Sequence, residues 1–205
     1  LLRRSGVLCN GPEAEACAEC VGQDHRADLV IRNLRLQRML ACIDHFLSPS
    51  LFLKQRHVAW GMDPHRISVV ENLPAERRPS LSPPATDVHK ELVLGFFGQI
   101  NPWKGIDLII EAVVMARLHC PQLRLEIHGC SWAELGDDRS AHPEFATRLR
   151  KLLEPMAVGS VQLCGRYEPH QLSPRMSGVD LVVMGSTWYE NAPMVIQEAF
   201  MNGVT

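Results

Sequence analysis

The stretch S-T-W-Y-E-N-A-P-M-V-I-Q-E-A-F-M-N-G occupies residues 186–203 and follows an apolar run at residues 179–184. Apolar residues after Pro193 recur at helical spacing. Proline is favoured in the first turn of a helix because its missing N–H would have no partner there. The pattern therefore predicts a strand, a short loop and a helix that begins between Asn191 and Met194. The N–H groups at such a helix start attract anions.

Two glutamates of this stretch are eight residues apart. Glu190 lies in the predicted loop beside the anion site, and Glu198 lies about one turn inside the helix. Strand-loop-helix units with two glutamates are common, so both side chains could be solvated surface residues. The stretch also resembles the Glu-x7-Glu motif of retaining glycosyltransferases with the two-Rossmann-domain (GT-B) architecture, family 4 in particular. The family form Glu-x-x-Pro-x-x-x-x-Glu-Ala-x-x-x-Gly is matched at Glu190, Pro193, Glu198, Ala199 and Gly203.

The composition limits the partners that we expect. The 205 residues are 46% hydrophobic and carry a formal net charge of −2, which suits a globular protein and gives no sign of nucleic-acid binding. No apolar run is long enough to span a membrane. The basic stretch Arg26–Arg38 alternates with apolar residues and indicates the wet face of a helix, or alternatively a face that rests on anionic lipid. We expect a cytoplasmic protein, with peripheral contact at the inner face of the membrane as the alternative.

From residue 91 onward, short apolar segments alternate with helical patterns. This alternation predicts an α/β domain with a Rossmann-like parallel sheet, right-handed crossovers and flanking helices. Ligands of such sheets bind at the carboxyl ends of the strands. The predicted strands lie at 92–97, 123–128, 161–164 and 179–184, and the predicted helices lie at 105–118, 144–156, 170–176 and 193–202.

Residues 1–78 are predicted to form a partial α/β domain, which a Pro-rich linker at 79–90 separates from the domain at 91–205. Residues 1–25 are interpreted as loop. Helices follow at 26–43 and 51–60, and strands at 44–48 and 67–70. This part resembles the end of the N-terminal, acceptor-side domain of the family. We therefore expect a fragment that also holds a truncated C-terminal, nucleotide-sugar-binding domain.

Three cysteines near the start of the chain raise an alternative function. Cys9, Cys17 and Cys20 follow the pattern C-x7-C-x2-C, and His25 comes shortly after them. Three thiolates and one imidazole are a possible zinc ligand set. The spacing is irregular, however, and a single C-x-x-C is a weak signal. The segment is either a zinc-binding interaction module or a loop without metal.

A second motif follows the strand predicted at 92–97. The sequence G-Q-I-N-P-W-K-G at Gly98–Gly105 lacks the glycine and lysine spacing of a Walker A loop. It resembles the family's Gly-Arg-x-x-x-x-Lys-Gly loop, in which arginine and lysine grip the diphosphate of a sugar nucleotide. Lys104 and Gly105 match, but Gln99 replaces the arginine. An amide lacks the charge and the bidentate fork of a guanidinium, so this departure implies weaker, differently tuned or absent activity.

Two more turns follow predicted strands. Gly129 stands where the family has a turn that faces the phosphates. Gly165, Arg166 and Tyr167 stand where the family has a turn that packs against the nucleotide base, largely through backbone contacts. Because the carboxyl ends of parallel strands share one edge of a sheet, one cleft could hold one extended nucleotide.

The resemblance implies a role for each of these residues. Glu190 and Lys104 are the implied catalytic residues, with Glu190 close to the donor sugar. Glu198 would accept hydrogen bonds from the ribose hydroxyls, and the backbone N–H groups of Lys104 and of residues 192–195 would hold the phosphates. The implied donor-binding residues are Gly98, Gln99, Lys104, Gly129, Arg166, Tyr167, Asn191, Ala192, Pro193, Met194, Val195 and Glu198.

The implied reaction moves a hexosyl group from a UDP- or GDP-sugar to a glycan, lipid-linked or small-molecule acceptor, with retention of anomeric configuration. Positive side chains and helix dipoles stabilise the leaving diphosphate in such enzymes, so we expect no metal and no other cofactor. The alternatives are a catalytically impaired nucleotide-binding relative and the zinc-binding module. The family's acceptor site and closing C-terminal helix have no counterpart in this sequence. We therefore expect the fragment to bind a donor without transferring sugar, and turnover by the purified fragment would contradict this.

Overall fold

The computed structural model describes residues 7–9, 11, 14–73, 91–131, 142–154 and 159–205. Contacts between residues divide the chain into two compact units. The first unit comprises Leu1–Asn72 and Trp188–Ala192, and the second comprises Leu73–Thr187 and Pro193–Thr205. The linker predicted at 79–90 lies outside the described residues, so the predicted domain boundaries stay a prediction.

The first unit contains three helices and two strands among its described residues. In chain order these are α1 (Ala14–Val21), α2 (Arg26–Ala41), β1 (Phe46–Ser48), α3 (Leu51–Ala59) and β2 (Ile67–Val69). The strands β1 and β2 pair in parallel, with Phe46 opposite Ile67 and Ser48 opposite Val69. The predicted helices and strands between residues 26 and 70 are therefore confirmed, with ends that differ by one or two residues.

The loop predicted at residues 1–25 is wrong where α1 forms. Residues 14–21 read A-E-A-C-A-E-C-V, and alanine and glutamate are among the strongest helix formers. The glycines and the proline that suggested a loop lie earlier, at residues 6–12. A short 3₁₀ turn at Gln23–His25 then joins α1 to α2.

Local signals at both ends of α3 are confirmed. The hydroxyl of Ser50 accepts the backbone N–H of Leu53 at 3.2 Å, as an N-cap side chain does. Gly61 follows the helix with a φ of +104°, a conformation that favours glycine at a helix end. These two residues explain why the helix begins and ends where the sequence predicted.

The second unit alternates strands and helices. Its elements are β3 (Leu92–Phe97), α4 (Ile106–Arg117), β4 (Leu123–His128), α5 (Pro143–Leu153), β5 (Val161–Leu163), α6 (Pro169–Met176), β6 (Leu181–Val182) and α7 (Met194–Met201). The four strands form a parallel sheet in the order β5-β4-β3-β6. The predicted α/β class with a parallel sheet and flanking helices is confirmed.

The strand order of this sheet reverses at β3. The chain runs from β3 outward to β4 and β5, and β6 then returns to the other side of β3. In open α/β sheets, ligands bind outside the carboxyl ends of the strands where the order reverses. The loops after β3 and β6 are therefore the expected place for a site.

Strand β6 is much shorter than the run predicted at 179–184. It pairs with β3 only at Leu181 and Val182, although backbone hydrogen bonds from Asp180 and Val183 to β3 extend the contact on either side. Beyond Val183 comes Gly185, whose backbone lies against another glycine of the unit. An apolar run alone did not reveal this early end.

Helices cover both faces of the sheet because successive strand residues point to opposite sides. One core lies between the sheet and helices α4 and α5, and the other lies between the sheet and helices α6 and α7. Fully buried members of the first are Phe96, Ile106, Ile110, Leu125, Ile127, Leu149 and Leu153, and buried members of the second are Val93, Phe97, Met176, Val179, Ala199 and Val204. The face of the sheet that holds Phe97 also carries polar side chains of β4, which form part of the candidate functional site.

The helices of the described residues include none that is both long and apolar enough for a membrane crossing. Helix α2, which carries most of the basic stretch at residues 26–38, has no buried residue.

Candidate functional site

The turns after β3, β4 and β5 are joined by backbone hydrogen bonds. The N–H of Gly98 donates to the carbonyl of His128 at 3.1 Å, and the N–H of Gly129 donates to the carbonyl of Gly165 at 3.0 Å. The N–H of Gly165 donates to the carbonyl of Cys130, also at 3.0 Å. The structure thus brings the three predicted glycine turns together at the carboxyl edge of the sheet. The turn at residues 164–167 is called the β5 turn below.

Two close approaches at this edge leave no room for a side chain. A Cβ added to Gly129 would lie 2.0 Å from the carbonyl oxygen of Gly98, and one added to Gly105 would lie 1.9 Å from that of Gly185. Gly129 and Gly105 have φ angles of +133° and +61°, which glycine adopts without strain. The second approach joins the loops after β3 and β6, where the strand order reverses.

The loop that carries Lys104 is fixed by its own residues. The Oδ1 of Asn101 accepts the backbone N–H groups of Trp103 and Lys104, each at 3.1 Å. The carbonyl of Trp103 accepts the N–H of Thr187 at 2.8 Å, which ties this loop to the loop after β6. A phosphate bound to the N–H of Lys104 would have to share it with Asn101 or displace that bond, and this predicted contact stays a prediction.

Helix α7 begins at Met194, within the predicted range, and presents Glu198 in its second turn. The N-cap residue is Pro193, which makes no side-chain hydrogen bond to the first N–H groups of the helix. Glu198 is half-buried, and burial raises the pKa of its carboxyl group. Burial, followed by the charge of Glu198, raises the pKa of Tyr167 in the β5 turn. Tyr167 also packs against the core cluster that contains Ala199, the residue after Glu198.

Residues 190–192 belong to the first unit, whereas all the other predicted donor-binding residues belong to the second. The indole N–H of Trp188 donates to Oε1 of Glu190 at 3.0 Å. The rings of Tyr189 and Phe52 lie with their centroids 5.1 Å apart. The short segment that carries Glu190 is thus held by aromatic residues of the first unit, which the motif spacing did not predict.

Beneath the glycine turns, the ring of His128 stacks on that of Phe97, with centroids 4.3 Å apart and an interplanar angle of 3°. Burial, with a smaller contribution from the charge of Arg175, lowers the pKa of His128 to about 4. The Nδ1 of His128 lies 3.4 Å from Nη1 of Arg175. Because a guanidinium can only donate, Nδ1 accepts and the neutral ring holds its proton on Nε2.

One group in the described part of the chain has the ligand atoms to hold a metal ion. It consists of Glu126, His128 and Cys164, whose ligand atoms lie within 4.8 Å of one another. A metal ion would bind the imidazole through a lone pair on Nε2. The contact between Arg175 and Nδ1, however, places the ring proton on Nε2. Arg124 also forms an ion pair with Glu126 at 2.7 Å. The arrangement therefore favours a charge network over a metal site.

The alternative zinc site near the start of the chain does not form. Cys9, Cys17, Cys20 and His25 all lie among the described residues, and no three of them come close enough to hold a metal ion. Cys17 and Cys20 lie on α1, and the imidazole of His25 instead faces Asp28 at 3.5 Å. Among the described residues, these four side chains therefore do not form a zinc-binding group in this structure.

The buried imidazole predicts sensitivity of the fold to acid. The pKa of His128 is about 4 in the folded chain and 6.5 in a model peptide, so the unfolded chain binds the proton first. The stability that the neutral ring contributes is complete above pH 6.5 and is lost as pH falls toward 4. We expect the chain to lose about 2 to 3 kcal/mol from this residue at pH 4.5.

Urea unfolding at pH 7.5 and pH 4.5 measures this effect. His128→Phe keeps an aromatic ring against Phe97 and removes the titration, so its loss of stability on acidification should be smaller by about 2 to 3 kcal/mol. His119→Phe, at an exposed position in the same unit, is the control and should lose as much as the wild type. Equal losses for wild type and His128→Phe would contradict the prediction.

Sequence reasoning missed several residues that build this edge. Asn101 could have been found, because asparagine before proline is a common start of a helical turn. Gly185 and Arg175 gave no comparable signal. Their contacts depend on which backbone segments the fold brings together, and neither residue stands in a periodic pattern.

The model of the family Glycosyl transferases group 1 matches residues 79–205, which is more than half of the chain. The chain belongs to this family. The match covers β3 to α7, the elements that build the edge described above. Search of curated proteins gives no match.

Several glycosyltransferase structures are similar in fold to this group 1 chain. Anabaena HepE in complex with UDP and glucose is 21% identical with a TM-score of 0.64, over 84% of this chain and 47% of HepE. The lipopolysaccharide outer core galactosyltransferase WaaB in its apo form is 21% identical with a TM-score of 0.57, over 78% of this chain and 42% of WaaB. The pneumococcal O-GlcNAc transferase GtfA in complex with UDP and GlcNAc is 21% identical with a TM-score of 0.55, over 79% of this chain and 29% of GtfA.

These comparisons confirm the resemblance to glycosyltransferases of the GT-B fold. The chain spans less than half the length of each of these three structures. Assignment of this group 1 chain to family 4, and retention of configuration, stay predictions.

Proposed function

We propose that the second unit is the donor-binding part of a retaining glycosyltransferase of family 4, which uses a UDP- or GDP-hexose. The observation that carries the proposal is the carboxyl edge of the sheet. Three glycine turns joined by hydrogen bonds lie there, and Tyr167 of the β5 turn packs against the core cluster that contains Ala199, the residue after the half-buried Glu198 of α7. A backbone edge without side chains admits a flat, polar ligand closely, and a carboxylate beside it suits the hydroxyls of a ribose.

The proposed roles follow from the groups that this edge offers. Glu198 accepts two hydrogen bonds from the ribose, and the first N–H groups of α7, at Met194 and Val195, hold a phosphate. The ammonium of Lys104 adds a positive charge for the diphosphate. Glu190 acts on the donor sugar, with its carboxylate oriented by the indole of Trp188.

In the proposed reaction, the bond between the anomeric carbon and the diphosphate oxygen breaks as the acceptor hydroxyl attacks from the same face. The bonding electron pair leaves with the diphosphate, and the acceptor proton passes to a leaving-group oxygen. Negative charge grows on the diphosphate in the transition state. Fixed positive groups that meet this charge lower the barrier, with Lys104 and the α7 dipole in that role and no metal.

The anomer of the released sugar tests this function. Because the chain by itself is expected to bind a donor without turnover, we would use the longest open reading frame that contains it. That protein would be incubated with UDP-glucose, UDP-galactose, UDP-GlcNAc and GDP-mannose, with water as a minimal acceptor, and the products followed by proton NMR. A retaining enzyme releases the α-anomer first, because the donor linkage is α. Early release of the β-anomer would contradict retention, and release of sugar that persists in Glu190→Gln would contradict the role of that carboxylate.

A catalytically impaired relative is the second candidate function, and Gln99 is the observation that favours it. Gln99 is exposed in the loop after β3, where the family resemblance expects an arginine. Its amide brings no charge to the leaving diphosphate. Nucleotide binding without release of any sugar by the longest open reading frame that contains this chain would support this candidate.

Restoring the arginine is expected to strengthen diphosphate binding. Gln99→Arg adds charge-assisted hydrogen bonds, and after allowance for solvent we expect a gain of about 1 kcal/mol, or about fivefold in UDP affinity. Uridine, which has no phosphate, should bind as before. Calorimetric titration of UDP and uridine into both proteins measures the difference.

Gln122→Arg is the control for net charge. Gln122 is also exposed, but it precedes β4 at the amino edge of the sheet. A general electrostatic attraction would strengthen UDP binding equally in both variants. That equality would contradict a diphosphate position beside residue 99.

The proposed location is cytoplasmic, with peripheral membrane contact through α2. Support comes from the basic residues of α2 and from its exposed apolar side chains at Val30, Ile31, Leu34 and Met39. Flotation with neutral vesicles and with vesicles of 30% anionic lipid tests the contact; flotation with neither would contradict it.

A further inference from the structure

One arginine donates hydrogen bonds to several backbone carbonyl groups of the β5 turn. Arg175 lies in the last turn of α6, and its Nη1 donates to the carbonyls of Cys164 at 2.9 Å and Gly165 at 3.2 Å. Its Nη2 donates to the carbonyl of Arg166 at 3.2 Å. Three successive carbonyls therefore point toward one guanidinium. Since each peptide group is planar, the N–H that follows each carbonyl points the opposite way.

The same guanidinium also contacts two side chains at the edge. Its Cζ lies 5.5 Å from the ring centroid of Tyr167, within the range of a cation–π contact. Its Nη1 lies 3.4 Å from Nδ1 of His128, whose ring stacks on Phe97. The ring of Tyr167 also meets Phe97 edge-on, with centroids 6.0 Å apart. Arg175 thus links the backbone of the β5 turn to the side chains below it.

The β5 turn is coupled in turn to its neighbours. The carbonyl of Gly165 accepts both Arg175 and the N–H of Gly129, so the guanidinium and the β4 turn share one acceptor. Tyr167, which ends the β5 turn, packs against the core cluster that contains Ala199, the residue after Glu198. Loss of the guanidinium would release three carbonyls and one ring contact at the same time.

We propose that Arg175 is a positioning residue for the nucleoside end of the donor site, because it fixes the β5 turn and holds Tyr167 beside Glu198. The inference rests on the proposed donor-binding function. Arg175 acts through the turn and does not touch the ligand. Its removal therefore affects the recognition of the nucleoside and leaves the recognition of the phosphates unchanged.

Three probes separate these two parts of the ligand: uridine, UDP and inorganic pyrophosphate. In Arg175→Met we expect uridine and UDP to bind about tenfold more weakly, by the same factor, because the turn loses several hydrogen bonds. Pyrophosphate should bind as in the wild type. Arg175→Lys should fall between the two proteins, since an ammonium lacks the planar fork that serves adjacent carbonyls. NMR titration measures the weak affinities.

Arg117→Met is the matched control. Arg117 lies in the last turn of α4 and donates to the carbonyl of Leu123, at the amino edge of the same sheet. This variant loses a similar contact away from the site, so its stability falls while its uridine affinity stays unchanged. If Arg175→Met does not fold, Arg175→Lys and its uridine affinity decide the question.

If the wild type binds UDP normally, either of two results would overturn this inference and leave the proposed function intact. One is unchanged uridine affinity in a folded Arg175 variant. The other is a loss confined to UDP and pyrophosphate, which would make Arg175 a phosphate-binding charge. Failure of the wild type to bind UDP at all would instead overturn the proposed function and this inference with it.

Discussion

Gly129→Ala is expected to unfold the second unit or to destabilise it by about 3 kcal/mol or more. The added Cβ would lie 2.0 Å from the carbonyl oxygen of Gly98, which is backbone and cannot swing aside as a side chain would. The residue would also keep a φ of +133°, which strains any L side chain. Relief requires the β3 and β4 turns to separate, so the proposed nucleotide site should be lost with the stability. Urea unfolding and UDP titration measure both effects.

Gly159→Ala separates the clash from the strain. Gly159 has a φ of +87°, and nothing lies within 4 Å of an added Cβ. This control should cost about 1 kcal/mol from backbone strain alone and should bind UDP normally. If Gly129→Ala proved no more destabilising than Gly159→Ala, the close approach of the β3 and β4 turns would be incorrect.

Glu198→Gln is expected to weaken UDP binding by about tenfold to a hundredfold. Hydrogen bonds to a charged acceptor contribute about 1.5 to 3 kcal/mol, and an amide oxygen accepts more weakly than a carboxylate. The variant should also lose its preference for UDP over 2′-deoxy-UDP, since the missing hydroxyl no longer has a charged partner. Calorimetric titration of UDP and 2′-deoxy-UDP into the wild type and Glu198→Gln forms a double-mutant-type cycle, which isolates the contact between Glu198 and the 2′-hydroxyl.

Acid should reproduce part of this loss in the wild type. Burial raises the pKa of Glu198, so the carboxyl group takes up a proton above its usual range and UDP affinity falls there as pH decreases. For stability the sign is opposite. A carboxyl with a raised pKa binds its proton more tightly when folded, so it stabilises the fold at low pH and this contribution is lost as pH rises through the folded pKa. Glu198→Gln should therefore be as stable as the wild type, or more so, at pH 8.

Glu144→Gln provides the control, since Glu144 is an exposed glutamate in the first turn of α5. It should leave UDP affinity and its pH dependence unchanged. Equal UDP affinity in wild type and Glu198→Gln would remove Glu198 from the nucleotide site.

The sequence predicted the sheet of the second unit well because its signals are local. The apolar runs at 92–97 and 123–128 became β3 and β4 with the same ends, and the proline at position 193 marked the start of α7 within one residue. The glycine turns at Gly98 and Gly129 were predicted at one edge because parallel strands place their carboxyl ends together. The strands and the helix start follow from composition and spacing, whereas the resemblance to the family singled out the two glycines.

The errors arise where contacts between distant segments decide the structure. The run at 179–184 looked like a full strand, but β6 ends at Val182, and Gly185 further along meets Gly105. The bond from the Lys104 N–H to the side chain of Asn101 was not predicted either. Arg175 showed no pattern because its acceptors lie about ten residues earlier in a turn. Such contacts become visible only after folding.

The segment around Glu190 shows the same limit in another form. The motif spacing placed Glu190 and Glu198 on one loop and helix, which is correct along the chain. It did not show that Glu190 belongs to the first unit, where Tyr189 packs against Phe52. Aromatic contacts between segments more than a hundred residues apart have no signature in a short motif.

Calorimetric titration of UDP into the wild-type chain tests the central claim most directly. We predict saturable binding of one UDP per chain, tighter than that of uridine, because the α7 N-terminus and Lys104 add contacts to the phosphates. GDP is titrated in parallel, since the base is not fixed by the site residues. If neither UDP nor GDP shows saturable binding up to about 5 mM, the binding free energy is weaker than about −3 kcal/mol. That result would contradict a nucleotide-sugar site at the carboxyl edge of this sheet.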